Sequence, residues 1–145
     1  PVTARGFEAR DLDDFKLAPA EQDIFKDVDL SKIAEENDWQ GKAVTVLDDD
    51  GTVLGFIAMI DVDTPDDQKV VYVSYIVGER AKQMPILLTK ATKAGLKFMH
   101  EHQNIDTILA EAREGAPSEW LKFLGFEQDD QGVFYHGSTI IRRTS

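Results

Sequence analysis

The sequence predicts one α/β (α+β) domain built on a twisted, mixed, mostly antiparallel sheet. Three observations predict it. Val70, Val71, Tyr72, Val73, Tyr75, Ile76 and Val77 form a near-continuous β-branched and aromatic run, which suits a strand buried on both faces. From Pro85 the spacing becomes helical: Leu87, Ala91, Ala94/Gly95 and Phe98 share a stripe with Leu88 and Met99 beside it, while Lys90, Lys93, Lys97 and Glu101 fall outside it. Asp48-Asp49-Asp50-Gly51 separates two strand-like runs as a hairpin turn, with Gly51 free to take positive φ. The 145 residues are enough for one sizeable core, and 42% hydrophobic and 30% charged content is ordinary for a globular chain.

The elements follow in order. Arg5–Arg10 is expected as a first strand. Asp11 is a candidate N-cap for a helix start, with Phe15 and Leu17 turned to the core. Pro19 interrupts and opens a second helical piece over 20–27, carrying Ile24 and Phe25 inward. Asp29 or Ser31 caps a third piece through Ile33 to Asn37, and Trp39-Gln40-Gly41 closes the helical region. Two hairpin strands, 42–47 and 52–60, precede an acidic loop over 61–68. Then come the central strand, a charged turn Gly78–Gln83, the long helix to about Gln103 and a strand over 106–112. The strand–helix–strand step is a right-handed crossover. A short helix over 117–124, opened by Pro117 and stopped by Gly125, leads to a final hairpin over 126–142.

The net charge of −11 is uneven. Residues 1–68 carry 18 acidic and 6 basic side chains, whereas residues 69–145 carry 9 acidic and 10 basic. The acidic half repels nucleic acid and anionic lipid, so neither a direct nucleic-acid partner nor a membrane is expected. No apolar run approaches the roughly 20 residues of a membrane span, and Pro1 onward shows no basic and apolar leader. Without cysteine, disulfide and thiol chemistry are excluded.

Few residues form a recognisable reacting set. In an EF-hand register the acidic turn would put Val46 at the first ligand position and Ile57 at the last, so it reads as a solvated turn. His100 and His102 are two apart on a helix and do not face each other; near the helix C-terminus their charge is favoured. No metal set is expected. No G-x-S-x-G, Walker or G-x-G-x-x-G pattern occurs. Glu111, Glu114 and Glu119 flank a strand-to-helix corner, where they read either as surface carboxylates, the favoured reading, or as acid–base groups. The turn Gly78–Gln83 is the place where anion chemistry fits, because orphan N–H groups and the helix dipole converge there. Arg80, Lys82, Lys90, Lys93 and Lys97 around it form either a solvated face or a phosphate-attracting patch.

Three patterns, VLDDDGTVLGFIAMI, the central strand–turn–helix and SEWLKFLGFE, resemble the GNAT superfamily of acyl-CoA N-acyltransferases, and the resemblance spans nearly the whole chain. It implies a GNAT-like sheet and an acyl-CoA site in which N–H groups near Ile76 and Val77 hold the acyl carbonyl. The turn Arg80, Ala81, Lys82, Gln83 and Met84 would meet the pyrophosphate. The chain departs from the family at three places. Gln83 and Pro85 replace the turn glycines; Gln83 adds a side chain where a phosphate approaches, and Pro85 removes a donor. Leu121 stands where active members place a general-acid tyrosine, and leucine transfers no proton. SEWLKFLGF is also similar to degenerate GNAT-like proteins of short-tailed bacteriophages. The resemblance thus implies a non-catalytic virion-associated or assembly component with virion proteins as partners, soluble, in the particle or host cytoplasm. No catalytic residue or resident cofactor is expected. The alternative is an active acetyl-CoA-dependent N-acetyltransferase, in which acetyl-CoA is the cofactor. A third is an acidic inhibitor or nucleic-acid mimic, with the acids of the first half spread on one face.

Overall fold

The computed structural model describes residues 3–23, 25–64, 67–82, 84–113 and 116–137. Its strands are β1 (Thr3–Gly6), β2 (Ala43–Leu47), β3 (Val53–Val62), β4 (Val70–Val77), β5 (Thr107–Ala110), β6 (Glu127–Gln128) and β7 (Phe134–Gly137). They form one sheet in the order β1-β2-β3-β4-β5-β7-β6. Every pairing is antiparallel except β4 with β5, the parallel step made by the crossover. The expected mixed, mostly antiparallel sheet is therefore present.

Helices cover both faces. On one lie α2 (Leu30–Glu36) and α3 (Trp39–Lys42); on the other lie α5 (Pro85–His102) and α6 (Ser118–Phe123). Helix α1 (Pro19–Gln22) follows Ala18, which packs with Leu54, Val77 and Ala91. A one-turn helix α4 (Glu79–Lys82) stands in the expected charged turn. Strand β4 shows why both faces are apolar. Val71, Val73 and Tyr75 pack with Leu96 and Met99 of α5 and Leu121 of α6. Ile76 points the other way, into a cluster with Phe7, Trp39 and Phe56. Helix α5 lies close on the sheet because Gly95 has no side chain: a Cβ there would sit 2.6 Å from the Ile57 methyl.

The helix starts behave as their chemistry dictates where a cap is exposed. Pro19 opens α1 and Pro85 opens α5. The Asp29 carboxylate accepts the Ser31 N–H at 3.0 Å and caps α2. The N-terminal expectation needs correction. The first strand is Thr3–Gly6, and a 3-10 turn (Ala9–Leu12) follows it. Asp11 is no N-cap. It is buried inside that turn, where it accepts hydrogen bonds from Arg5 (2.6 and 2.8 Å), the Glu8 N–H (2.9 Å) and the Thr45 hydroxyl (2.7 Å). Burial pushes its carboxyl up, but these donors outweigh burial and hold it below the usual carboxylate range. Sequence spacing could not pair Asp11 with Thr45, 34 residues away. The closing hairpin is described only to Gly137; the expected continuation to Arg142 lies outside the described residues, as does Ile24.

Candidate functional site

Parallel pairing of β4 with β5 covers Val70↔Thr107, Val71↔Ile108 and Tyr72↔Leu109 and goes no further. Strand β4 continues to Val77 while β5 ends at Ala110. The two strands splay, and the far half of β4 presents one edge to the opening. Alternation identifies which groups point there. The Gly78 N–H donates to Leu54 of β3 at 2.9 Å, so the flanking Val77 carbonyl and Glu79 N–H point to the opposite edge, toward the splay. The Tyr75 carbonyl has the same parity as Val77.

Those edge groups are taken by the chain itself. The Ala18 N–H donates to the Val77 carbonyl at 2.9 Å, and the Glu79 N–H donates to the Lys16 carbonyl at 2.8 Å. Leu17 bridges Gly78 as an antiparallel pair, so the segment 16–18 lies where the splay is widest. Gly78 makes this fit possible: a Cβ there would come within 2.8 Å of both the Leu54 carbonyl oxygen and the Phe15 ring. Further back, the Arg113 guanidinium donates to the Tyr75 carbonyl. It also meets the Glu21 carboxylate at 3.0 and 3.3 Å. Glu21 is only 2% exposed. A buried carboxylate without a partner is costly, so Arg113 both neutralises Glu21 and ties β5's exit to α1 across the opening.

The residues singled out from sequence are distributed around this filled cleft. Ile76 is buried on the α2–α3 face, and Ala81 is fully buried. Arg80 turns away from the helix start and donates to Asp48 (2.6 Å) and Asp50 (3.3 Å) of the β2–β3 turn. Asp48 also accepts the Asp50 and Thr52 N–H groups at 3.1 and 3.0 Å, so the acidic turn is organised around its own backbone and Arg80. Asp50 is held down to about 2, first by its hydrogen bond with Asp48 and then by Thr52, with the Arg80 charge a smaller cause. Lys82 ends α4, and Gln83 lies outside the described residues. Met84 is exposed; its N–H donates to the Ala81 carbonyl at 3.0 Å, and its carbonyl accepts the Leu88 N–H at 2.9 Å.

On the far wall, Leu121 is fully buried in the core, as an apolar side chain at that place must be. Its neighbour Trp120 stacks edge-on against Tyr75 at 5.7 Å and donates its indole N–H to the Thr89 hydroxyl at 3.1 Å, joining α6 to α5. The Tyr75 hydroxyl is buried with no hydrogen-bond partner among the described residues, and burial pushes its pKa up. Tyr72 is likewise pushed up to about 12, by burial and then by Glu111. A separate cavity of about 730 Å³ opens beside Arg80 and the β2–β3 turn. Its bases are Arg5, Arg10, Lys16 and Arg80. The three arginines are paired with Asp11, Glu8 and the Asp48–Asp50 pair, respectively, and Asp14 and Glu79 line the same cavity as Lys16. Among the described residues no group of three or more His, Asp or Glu converges as a metal site.

Sequence reasoning missed Arg113, Glu21 and the 16–18 segment. Glu21 and Arg113 are 92 residues apart, and neither belongs to a local pattern. It also missed the second histidine contact. His100 Nδ1 donates to the Ile105 carbonyl at 2.7 Å, and His100 Nε2 lies 2.9 Å from His136 Nδ1, a ring-to-ring hydrogen bond whose direction follows the tautomer. Burial, with the facing His100, holds His136 below the ordinary histidine range, against a carbonyl of Leu124 that favours the charged ring.

The splayed parallel pair, the strand–turn–long helix between its members and the flanking antiparallel strands can be compared with solved structures. An acetyltransferase of the GNAT family from Bacillus anthracis superposes with a TM-score of 0.64 over 92% of each chain, at 13% identity. The fold is the GNAT fold. A variant of the spermidine N-acetyltransferase SpeG from Vibrio cholerae gives 0.63 over 99% of this chain and 98% of that one, at 13% identity. The GNAT N-acetyltransferase YhbS from Escherichia coli, solved in complex with CoA, gives 0.60 over 93% of this chain and 80% of that one, at 16% identity. No protein-family model matches the chain, and no curated protein matches it by sequence. No helix among the described residues is long and apolar enough to cross a membrane.

Proposed function

We propose that this protein is a GNAT-fold binding component without acyl-transfer activity, associated with a bacteriophage particle or its assembly. The observation that carries the loss of activity is the occupied edge of β4. A pantetheine arm lying in the splay needs the edge groups that Ala18, Lys16 and Arg113 already use. Arranged this way, the residues present do not fit an acyl-CoA. Leu121 in the core and Pro85 at the start of α5 point the same way, since neither offers a proton or an N–H. The association with a virion rests on the likeness of SEWLKFLGF to phage GNAT-like proteins. Its binding partners are then other virion proteins.

Calorimetric titration with acetyl-CoA tests the first half. The expected outcome is no saturable heat up to about 1 mM ligand. Micromolar binding with turnover on any amine would sink it. Mass spectrometry of purified particles of the encoding phage tests the second half, and absence of the chain from particles and assembly intermediates would overturn it.

An active N-acetyltransferase is the second reading. It is favoured by structural neighbours solved with CoA or acetyl-CoA, among them YhbS and a variant of the AtaT toxin. It requires the 16–18 segment and Arg113 to leave the splay. Arg80→Ala separates the readings: it abolishes cofactor binding in the active enzyme and leaves fold and partner binding intact in the binding component.

A further inference from the structure

The two faces of the sheet differ in charge, and each carries an apolar feature. The α2–α3 face belongs to the acidic half: residues 7–42 hold 11 acidic and 5 basic side chains. A groove of about 430 Å³ lies there between the 3-10 turn and α2–α3. Phe7, Leu12, Ala34 and Trp39 give it an apolar wall, and Glu35 and Asp38 stand at its rim. Both acids are exposed. The opposite face carries the reverse. Helix α5 turns Ile86, Lys90, Lys93 and Lys97 outward, at helical spacing on one stripe. Beside it Phe123 of α6 is 68% exposed, with the Lys93 ammonium 4.8 Å from its ring centre. Ile86 is 75% exposed. Glu119 and Glu101 are the acids of these two helices, outnumbered by Lys90, Lys93, Lys97 and Lys122.

The Phe123 ring with its lysines and the acid-rimmed apolar groove are complementary in charge and in apolar character. We infer that copies of this chain associate head to tail, the Phe123–Lys93 ridge of one seated in the Phe7–Trp39 groove of the next. The two patches lie on opposite faces of the sheet, since α5 and α6 pack against Val71, Val73 and Tyr75 whereas Trp39 packs against Ile76. The contact is therefore heterologous: one copy uses its ridge and still offers its groove, so association propagates beyond a dimer unless the rotation closes a ring. This inference stands whether or not the β4 edge ever opens to an acyl-CoA.

Sedimentation velocity on the full chain tests it, over about 1 to 200 μM in low and high salt. The expected result is growth past the dimer with concentration, weakened at least tenfold by high salt. A wild-type chain that stays monomeric at all concentrations in low salt overturns the proposal. Charge reversal distinguishes the geometry. Lys93→Glu and Glu35→Lys each make the chain's own two patches repel, and each is expected to weaken self-association at least tenfold. Mixing the two variants restores it, because one contact is then wild-type and the other is doubly reversed. If Glu35→Lys alone associates like the wild type, the contact is not ridge to groove and the inference fails. Phe123→Ala, at an exposed position away from the core, is expected to weaken association by tenfold or more with an unchanged thermal melt.

Discussion

The two halves of β4 are built by different physics. From Val70 to Tyr72 the strand is paired on both edges, by β3 and by β5, and Val71 enters the core cluster under α5. From Val73 to Val77 it keeps β3 but loses β5. There the Tyr75 and Val77 carbonyls and the Glu79 N–H are met by an arginine and a backbone segment brought from elsewhere in the chain. Both halves bury apolar side chains, Val71 in the first and Val73, Tyr75, Ile76 and Val77 in the second. The second adds a polar problem, because backbone groups without a partner are costly once the opening is covered. In an open splay a ligand would solve that problem; here the protein solves it with its own groups.

Substitutions in the two halves should therefore fail differently. The largest effect is expected in the paired half. Ile108→Ala removes a fully buried side chain of β5 opposite Val71, and urea denaturation should show a loss of about 4 kcal/mol, little changed by pH or salt. In the splayed half, Arg113→Ala leaves Glu21 buried without its partner and the Tyr75 carbonyl without its donor. The expected loss is about 3 kcal/mol at neutral pH. The paired substitution Glu21→Leu with Arg113→Met should recover most of it. A double substitution that recovers nothing would erase the contrast.

A smaller effect belongs to the His100–His136 contact behind the paired half. The folded pKa of His136 lies below its ordinary value of 6.5. Its contribution is thus fully present above that value and is lost as pH falls toward the lower folded one. Stability measured between about pH 7 and pH 5 should decline for the wild type and decline less for His136→Asn. The smallest effect is expected at Arg80. Its side chain is 45% exposed, and Asp48 keeps two backbone donors without it. Arg80→Ala should cost under about 1 kcal/mol in thermal melts.

The sequence alone was enough for most of the framework. The β-branched run over 70–77 became β4, and the helical stripe from Pro85 became α5 within a residue of its expected end. Asp48–Gly51 became the hairpin turn, and Pro117 precedes α6. Each rests on local periodicity or turn chemistry, which neighbouring residues carry by themselves. Residues 1–42 were harder to read, because short helices of four to seven residues have little period to detect and their ends follow tertiary contacts. Asp11 shows it: an acid before an apolar residue reads as a cap until Arg5 and Thr45 are seen to enclose it.

From the sequence, Gln83 and Pro85 lead one to expect a weakened anion cradle and Leu121 a missing general acid, by residue type alone. What only the tertiary structure decided is the state of the cleft itself. Segment 16–18, Glu21 and Arg113 carry no local signal, and they matter because the sheet ends β5 early and leaves one row of β4 groups to be met. Which groups meet them is a question of three-dimensional hydrogen-bond completion, and no spacing along the chain records its answer.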